Sequence, residues 1–262
     1  MKPCKRIVVK VGTSTLTYDD GRLRLRRMEE LCRNLADIKN GGREVILVSS
    51  GAVGAGVSKL RLPGRPSELR EKQAAAAVGQ CRLMHLYDKF FGEYDHPVGQ
   101  ILLTADDVGR ETSRHNLLGT FETLLGYGAV PIVNENDSVS ADEIAQGPKL
   151  FAENDMLSAV VALLVGADLL ILLSDVDGLY DGDPHKDPEA KHIPVVERVE
   201  DVMHLAGDAG TQRGTGGTVT KLAAARMVTS AGIEMVIASG ERPERLRGIC
   251  DGEMIGTRFI AI

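Results

Sequence analysis

The chain has 262 residues, of which 43% are apolar and 26% are charged, and its formal net charge is −6. This composition excludes extensive disorder, and the length suits one large domain or two small ones. The acidic balance argues against a nucleic-acid-binding protein, since such proteins need a basic face to replace phosphate counterions. No apolar run of about 18 residues is present, so we expect no transmembrane helix and no membrane partner.

Short apolar strands alternate with helical segments along the whole chain. The first unit has strands at 5–11 and 44–49 with a helix between them at 24–40, which ends at two glycines. Further helices are predicted at 67–94, 113–125, 155–165 and 221–230, and further strands at 98–103, 129–133, 168–173 and 234–238. This alternation predicts an α/β fold with a mainly parallel open sheet covered by helices on both faces. No linker divides the chain, so we predict one domain over 1–262 with two lobes.

Glycines and polar residues follow several of the predicted strands. They occupy positions 12–14, 49–51, 134–137 and 174–175, and in open α/β sheets ligands bind at this edge. The stretch 50–56 reads as a glycine-rich turn whose backbone N–H groups can approach a ligand closely. The chain contains neither G-x-G-x-x-G nor G-x-x-x-x-G-K-[ST], which argues against a dinucleotide fold and an ordinary P-loop.

Lys10 lies in an apolar strand, two residues before a glycine turn. It is either an edge-strand lysine directed to solvent or a fixed cation aimed at a phosphate. An inward-facing lysine needs an anionic partner, because burying an unpaired ammonium costs several kcal/mol.

Two further segments carry charged residues at helix starts. Residues 215–221 form a loop of small and hydroxyl residues that leads to Lys221, and this loop is either simply flexible or a nucleotide-phosphate loop. Asp155 is either the N-cap of its helix or an acid that holds two lysines in position. The cysteines are scattered, without a C-x-x-C pair, and no two histidines have metal-ligand spacing. We therefore predict reduced thiols, a cytoplasmic protein and no protein metal site.

The chain resembles the amino acid kinase family over essentially its whole length. The resemblance rests on short strings, namely IVVKVGTSTL at 7–16, ILVSSGAVGAG at 46–56, QAAAAVGQ at 73–80, QILLTADD at 100–107, VPIVNENDSV at 130–139, NDMLSAVVA at 154–162, LLSDVDGLYDGDP at 172–184, GTGGTVTK at 214–221 and IGTRF at 255–259. It implies a three-layer αβα sandwich, with glutamate bound by the amino-terminal lobe and ATP by the carboxyl-terminal lobe. Many members continue into a small PUA module, and we expect this chain, which stops at Ile262, to lack one, as a naturally short or a truncated member.

The resemblance implies ATP-dependent phosphorylation of the side-chain carboxylate of L-glutamate, at the entry to proline biosynthesis. A carboxylate is already ionised at neutral pH, so no general base is needed. Mg²⁺ is then expected to bridge the ATP phosphates without a dedicated protein cage. By the same resemblance we expect proline as a feedback inhibitor, a homodimer or homotetramer, and hand-over of the labile product to glutamyl phosphate reductase.

The resemblance also assigns roles to individual residues. Lys10 and Lys221 would contact the transferring phosphoryl oxygens, Asp155 would orient both lysines, and Asp137 would pair with the substrate α-ammonium. The remaining glutamate contacts would be Ser50, Gly51, Asn134 and Asn154. ATP would contact Lys10, Gly12, Ser174, Asp175, Thr215, Gly216, Gly217 and Lys221.

Three alternatives remain open at this stage. The first is a kinase of the same fold that acts on N-acetylglutamate, aspartate or a nucleoside monophosphate. The second is a non-catalytic sensor, which would be expected to lose Lys10, Asp155 or Lys221. The third is an oxidoreductase with a Rossmann domain, which the missing glycine fingerprint disfavours.

Overall fold

The computed structural model describes residues 4–140, 154–182, 187, 189–206 and 216–262. The strands are β1 (Arg6–Val11), β2 (Glu44–Ser49), β3 (Val98–Leu103), β4 (Val130–Glu135), β5 (Leu169–Ser174), β6 (Leu179–Tyr180), β7 (His192–Ile193), β8 (Val195–Val196), β9 (Glu234–Ser239) and β10 (Thr257–Phe259). The α-helices are α1 (Thr13–Leu16), α2 (Leu25–Asn40), α3 (Ala52–Leu60), α4 (Leu69–Gly92), α5 (Ala105–Gly109), α6 (Glu111–Gly126), α7 (Asn154–Val165), α8 (Gly216–Thr229) and α9 (Leu246–Cys250). Two 3₁₀ segments span Val199–Ala206 and Pro243–Arg245. No helix in these ranges is both long and apolar enough to cross a bilayer.

Eight of the described strands form one sheet in the order β3-β4-β2-β1-β5-β9-β10-β8. Neighbouring strands are parallel except β9 and β10, which are antiparallel. Helices cover both faces, and each face packs its own hydrophobic core. The predicted α/β fold with a mainly parallel sheet is therefore confirmed.

The central strand β1 owes its position to an apolar sequence that faces both cores. Ile7 and Val9 pack in the core that contains α2, whereas Val8 packs in the core that contains α7 and α8. Side chains alternate between the faces of a strand, so Lys10 lies on the same face as Val8. The only charged side chain within β1 after Arg6 is thereby directed towards α7 and α8.

The prediction of a glycine turn over 50–56 is wrong beyond Gly51. Gly51 does make a turn, with a φ of +94° that favours glycine, but helix α3 begins at Ala52. Glycine serves close packing where α3 and α4 meet: a Cβ on Gly79 of α4 would lie 1.8 Å from the carbonyl oxygen of Ala52. The lack of a side chain at Gly79 therefore lets α4 pack closely against the start of α3.

The helix predicted over 221–230 begins earlier than expected. Helix α8 starts at Gly216, so Lys221 lies in its second turn rather than at its first residue. The segment taken as a phosphate loop is therefore partly helical, and Thr215 lies outside the described residues. The short strands β6, β7, β8 and β10 were not predicted.

Candidate active site

Two lysines from distant parts of the chain meet at one buried carboxylate. The Nζ atom of Lys10 lies 2.6 Å from Oδ1 of Asp155, and the Nζ atom of Lys221 lies 3.4 Å from Oδ2. The side chain of Asp155 is 1% exposed, and those of Lys10 and Lys221 are 11% and 16% exposed. The three residues come from β1, the first turn of α7 and α8, so only the folded sheet brings them together.

The charges in this group are held in place by several contacts. Burial alone would raise the pKa of Asp155, but the ammonium groups of Lys10 and Lys221 outweigh it and lower that pKa. Lys221 Nζ also donates to the carbonyl oxygen of Gly217 at 3.1 Å, and Thr220 Oγ1 donates to Asp155 Oδ2 at 3.2 Å. One carboxylate facing two ammonium groups leaves a net positive charge, which suits a phosphoryl group.

Glycines lie beside both ammonium groups. A Cβ on Gly12 would be 3.5 Å from Lys10 Nζ, and a Cβ on Gly217 would be 3.1 Å from Lys221 Nζ. The absence of side chains at these positions leaves space for a ligand next to each lysine. Gly216 begins α8 directly before Gly217.

A cluster of amides and a hydroxyl lies next to the lysines. Asn154 precedes Asp155 in α7, and its Nδ2 lies 2.6 Å from Ser50 Oγ, 2.9 Å from the carbonyl oxygen of Ser49 and 3.2 Å from Asn134 Oδ1. Adjacent Cα atoms are about 3.8 Å apart. The amide cluster and the lysine pair are therefore neighbouring parts of one site.

A cavity of about 420 Å³ adjoins this cluster. Its lining includes Ala52 of α3, Ala76 and Gln80 of α4, and Asp137 after β4. Burial raises the pKa of Asp137, and the charge of Arg65 offsets this only in part. With the other described residues, the Asp137 carboxylate forms no hydrogen bond or ion pair, so it suits a cationic ligand group.

Ser174 and Asp175 lie at the end of β5, which pairs with β1 so that Leu173 lies beside Val11. Ser174 is buried and donates to Asp175 Oδ1 at 2.9 Å, whereas Asp175 is exposed. The two residues therefore lie at the same sheet edge as Gly12, on the β5 side of the lysine pair. The structure thus gathers the predicted site residues that it describes along one edge.

Gln80 is a site residue that sequence reasoning did not single out. Its Oε1 accepts a hydrogen bond of 2.9 Å from Asn134 Nδ2. The signal in the sequence was an uncharged polar residue that ends an alanine-rich stretch of helix, and such a residue is usually a solvated one.

A larger cavity of about 560 Å³ lies at the start of α2. Arginines and glutamates line it and pair with one another, as in the contacts of Arg24 with Glu241 at 2.8 Å and of Arg26 with Glu30 at 2.9 Å. None of the predicted site residues lines this cavity.

Comparisons with known proteins agree with this geometry. Residues 5–239 match the model of the amino acid kinase family. The chain is 56% identical over 262 residues to the glutamate 5-kinase of Clostridium perfringens, with 100% of the chain and 97% of that protein covered. It is 49% identical over 260 residues to the glutamate 5-kinase of Listeria monocytogenes, with 99% of the chain and 94% of that protein covered.

Solved structures share the fold. A carbamate kinase from Giardia lamblia bound to AMP-PNP superposes with a TM-score of 0.69 at 15% identity, covering 99% of each chain. A UMP kinase from Bacillus anthracis superposes with a TM-score of 0.66 at 18% identity, covering 99% of this chain and 97% of that one. The family match, the close relatives and the sheet order lead to one conclusion. The chain belongs to the amino acid kinase family.

Proposed function

We propose that this protein transfers the γ-phosphoryl group of ATP to the side-chain carboxylate of L-glutamate, giving glutamyl 5-phosphate and ADP, the first step of proline biosynthesis. The observation that carries the proposal is the juxtaposition at the start of α7. Asn154 joins the amide cluster, while Asp155, the next residue, holds Lys10 and Lys221. The relatives named glutamate 5-kinase, at 49% and 56% identity, support the choice of acceptor.

The residues suit an in-line transfer without a general base. A carboxylate oxygen of glutamate attacks the γ-phosphorus, the bond from this phosphorus to the oxygen that bridges it to the β-phosphate breaks, and ADP leaves. Lys10 and Lys221 would neutralise charge on the transferring group, because Asp155 aims both ammonium groups at one place. Backbone N–H groups near Gly12 and Gly51 would share this task, and Gly216, Gly217, Ser174 and Asp175 would line the nucleotide side.

Glutamate would bind in the cavity beside the amide cluster. Asp137 would hold the α-ammonium group, which gives its half-buried carboxylate a closer counter-charge than Arg65 does. Ser50, Asn134 and Asn154 would hold carboxylate oxygens. In this proposal most glutamate contacts come from the chain up to Asp137, with Asn154 of α7 added, and most ATP contacts come from β5 and α8, with Lys10 and Gly12 added, within a single domain.

Mg²⁺ fits this site as a companion of ATP. Among the described residues, no group of three His, Cys, Asp or Glu side chains could hold a metal ion, and both oxygens of Asp155 face ammonium groups. Triphosphate oxygens and water would therefore coordinate the ion, as they usually do for Mg²⁺. When bound, the ion would neutralise part of the triphosphate charge.

The proposed reaction also bears on the inhibitor, the partner enzyme and the cellular location of the protein. Proline carries an α-ammonium and an α-carboxylate group, so it would compete for the glutamate cavity and inhibit. The acyl phosphate is labile, which favours direct use by glutamyl phosphate reductase. We also propose a homodimer or homotetramer in the cytoplasm, where the free thiols of Cys4, Cys32, Cys81 and Cys250 would stay reduced.

The test is an ATP-dependent acyl-phosphate assay with hydroxylamine as the trap. We expect hydroxamate from glutamate and less of it when proline is added. N-acetylglutamate should fail, because its acylated nitrogen carries no charge for Asp137 to pair with. If N-acetylglutamate or aspartate reacted better than glutamate, or if no ATP-dependent hydroxamate formed, the proposed acceptor would be wrong.

A further inference from the structure

The orientation of the Asn134 side chain is fixed by a backbone group. The N–H of Glu135 donates to Asn134 Oδ1 at 2.9 Å. A backbone N–H can only donate, so the oxygen of the Asn134 amide must lie on this side and its nitrogen must lie on the other.

This orientation also fixes the amide of Gln80. Asn134 Nδ2 lies 2.9 Å from the Gln80 side chain and must donate, so the atom it meets must be Gln80 Oε1. The Nε2 group of Gln80 is left on the opposite end of that amide. With the other described residues it forms no hydrogen bond, so both of its N–H groups are available as donors.

Gln80 lines the same cavity as Asp137. The cavity thus combines a neutral donor with an acidic acceptor that forms no ion pair with the other described residues. The amino-acid head group has the complementary pair, an anionic α-carboxylate and a cationic α-ammonium.

We propose that Gln80 binds the substrate directly, by donating from Nε2 to its α-carboxylate while Asp137 holds its α-ammonium group. This proposal rests on the proposed function and adds a specificity determinant to it. Its consequence is selection for a free α-carboxylate. A substrate with an uncharged α-carboxamide would lose the charge-assisted hydrogen bond, although its side-chain carboxylate could still accept the phosphoryl group.

The experiment compares L-glutamate with L-isoglutamine, its α-carboxamide, in the wild-type protein and in Gln80→Glu. The new carboxylate still accepts from Asn134 Nδ2, but it replaces the donor with a negative charge. We expect the KM for glutamate to rise about 10- to 100-fold, in line with the loss of one hydrogen bond to a charged group. The KM for isoglutamine should stay the same or fall, and the KM for ATP should not change.

Gln100→Glu is the matched control, because it places the same charge on the β3 wall of the cavity. It should change the ratio of the two KM values by far less than Gln80→Glu does, since it adds the same charge to the cavity without removing the proposed donor. Circular dichroism melting of each variant checks that folding is intact.

The wild-type protein alone also tests the proposal, should the variant fail to fold. Equal KM values for glutamate and isoglutamine in the wild type would overturn it, as would a Gln80→Glu variant that raises both KM values equally or neither. A wild-type protein with no glutamate-dependent activity would instead overturn the proposed function, and the two failures are therefore distinguishable.

Discussion

Lys10 and Lys221 face the same carboxylate from two different elements, and neither can reach solvent freely. We expect Lys10→Ala and Lys221→Ala each to lower kcat about 10²- to 10³-fold, the usual effect of removing one donor to a developing charge. The KM for glutamate should change much less. Steady-state kinetics with the exposed Lys89→Ala as a control would measure this, and near-normal turnover in either variant would remove that lysine from the transfer step.

Asp137 is the expected partner of the substrate ammonium group. We predict that Asp137→Ala raises the KM for glutamate about 10-fold or more, because a buried charge pair loses one partner. The KM for ATP should remain the same. Initial rates at varied glutamate would show the change, and an unaltered KM would place Asp137 outside the substrate cavity.

The raised pKa of Asp137 predicts a cost in stability. The unfolded chain releases this proton at a lower pH than the folded chain does, so the free energy of unfolding falls as pH rises between the ordinary aspartate pKa and the raised one. Above that interval Asp137→Asn should therefore unfold at a higher temperature than the wild type, and below it the difference should vanish. Melting curves across acidic and neutral pH would test this, and a lower melting temperature for Asp137→Asn at neutral pH would contradict it.

At the scale of single residues, the sequence predicted the two lysines and Asp155 better than it predicted the lining of the cavity proposed to bind glutamate. Lys10 inside an apolar strand is an unusual position for a charge and implied a partner, whereas Asp155 at a helix start is an ordinary one that an N-cap could also explain. Gln80 has no such anomaly, because a neutral polar residue on a helix is ordinary. Its role depends on which end of its amide faces Asn134, and only the folded contacts of Asn134 show that.

Helices α3 and α4 pack so closely that glycine is required at their contact. A Cβ on Gly79 would lie 1.8 Å from the carbonyl oxygen of Ala52, whereas a Cβ on Gly119 of α6 would meet nothing within 4 Å. We predict that Gly79→Ala lowers the free energy of unfolding by about 1–3 kcal/mol through overpacking. Gly119→Ala should raise it by about 0.5–1 kcal/mol, since alanine favours the helix.

Urea unfolding of both variants would measure these changes. Because Gly79 precedes Gln80 and Ala52 follows Gly51, Gly79→Ala should also raise the KM for glutamate. Equal stability of the two variants would show that α3 and α4 can separate without cost.

The elements also show where sequence patterns fail. The apolar strands and long amphipathic helices were predicted within a few residues, because burial on two faces or on one stripe leaves a clear period. Helix α3 was taken for a turn because glycine has a low helix propensity. Close packing against α4 overrides that propensity, and a contact between helices leaves no local period in the sequence.

The whole molecule has two cores that the sheet separates. Ile38 of α2 is 2% exposed and packs in one core, and Ile46 of β2 is 0% exposed and faces the other. We predict that Ile38→Val and Ile46→Val each lower the free energy of unfolding by about 0.5–1.5 kcal/mol. Their effects should add within about 0.5 kcal/mol, because the two residues share no core.

A double-mutant cycle by urea unfolding would test this. A coupling well above that limit would mean that the sheet transmits packing changes from one core to the other.

The consecutive positions of Asn154 and Asp155 bear on how the protein could come to phosphorylate a different substrate. Groups proposed to recognise the acceptor come from β2, α4 and the end of β4, whereas those proposed to handle the phosphoryl group come from β1 and α8. The first turn of α7 serves both. Mutations at Gln80 or Asp137 could therefore redirect the protein to another carboxylic acid without disturbing the transfer chemistry. A one-residue insertion after Asp155 would turn Asn154 and Asp155 by about 100° relative to the rest of α7 and so displace both groups at once.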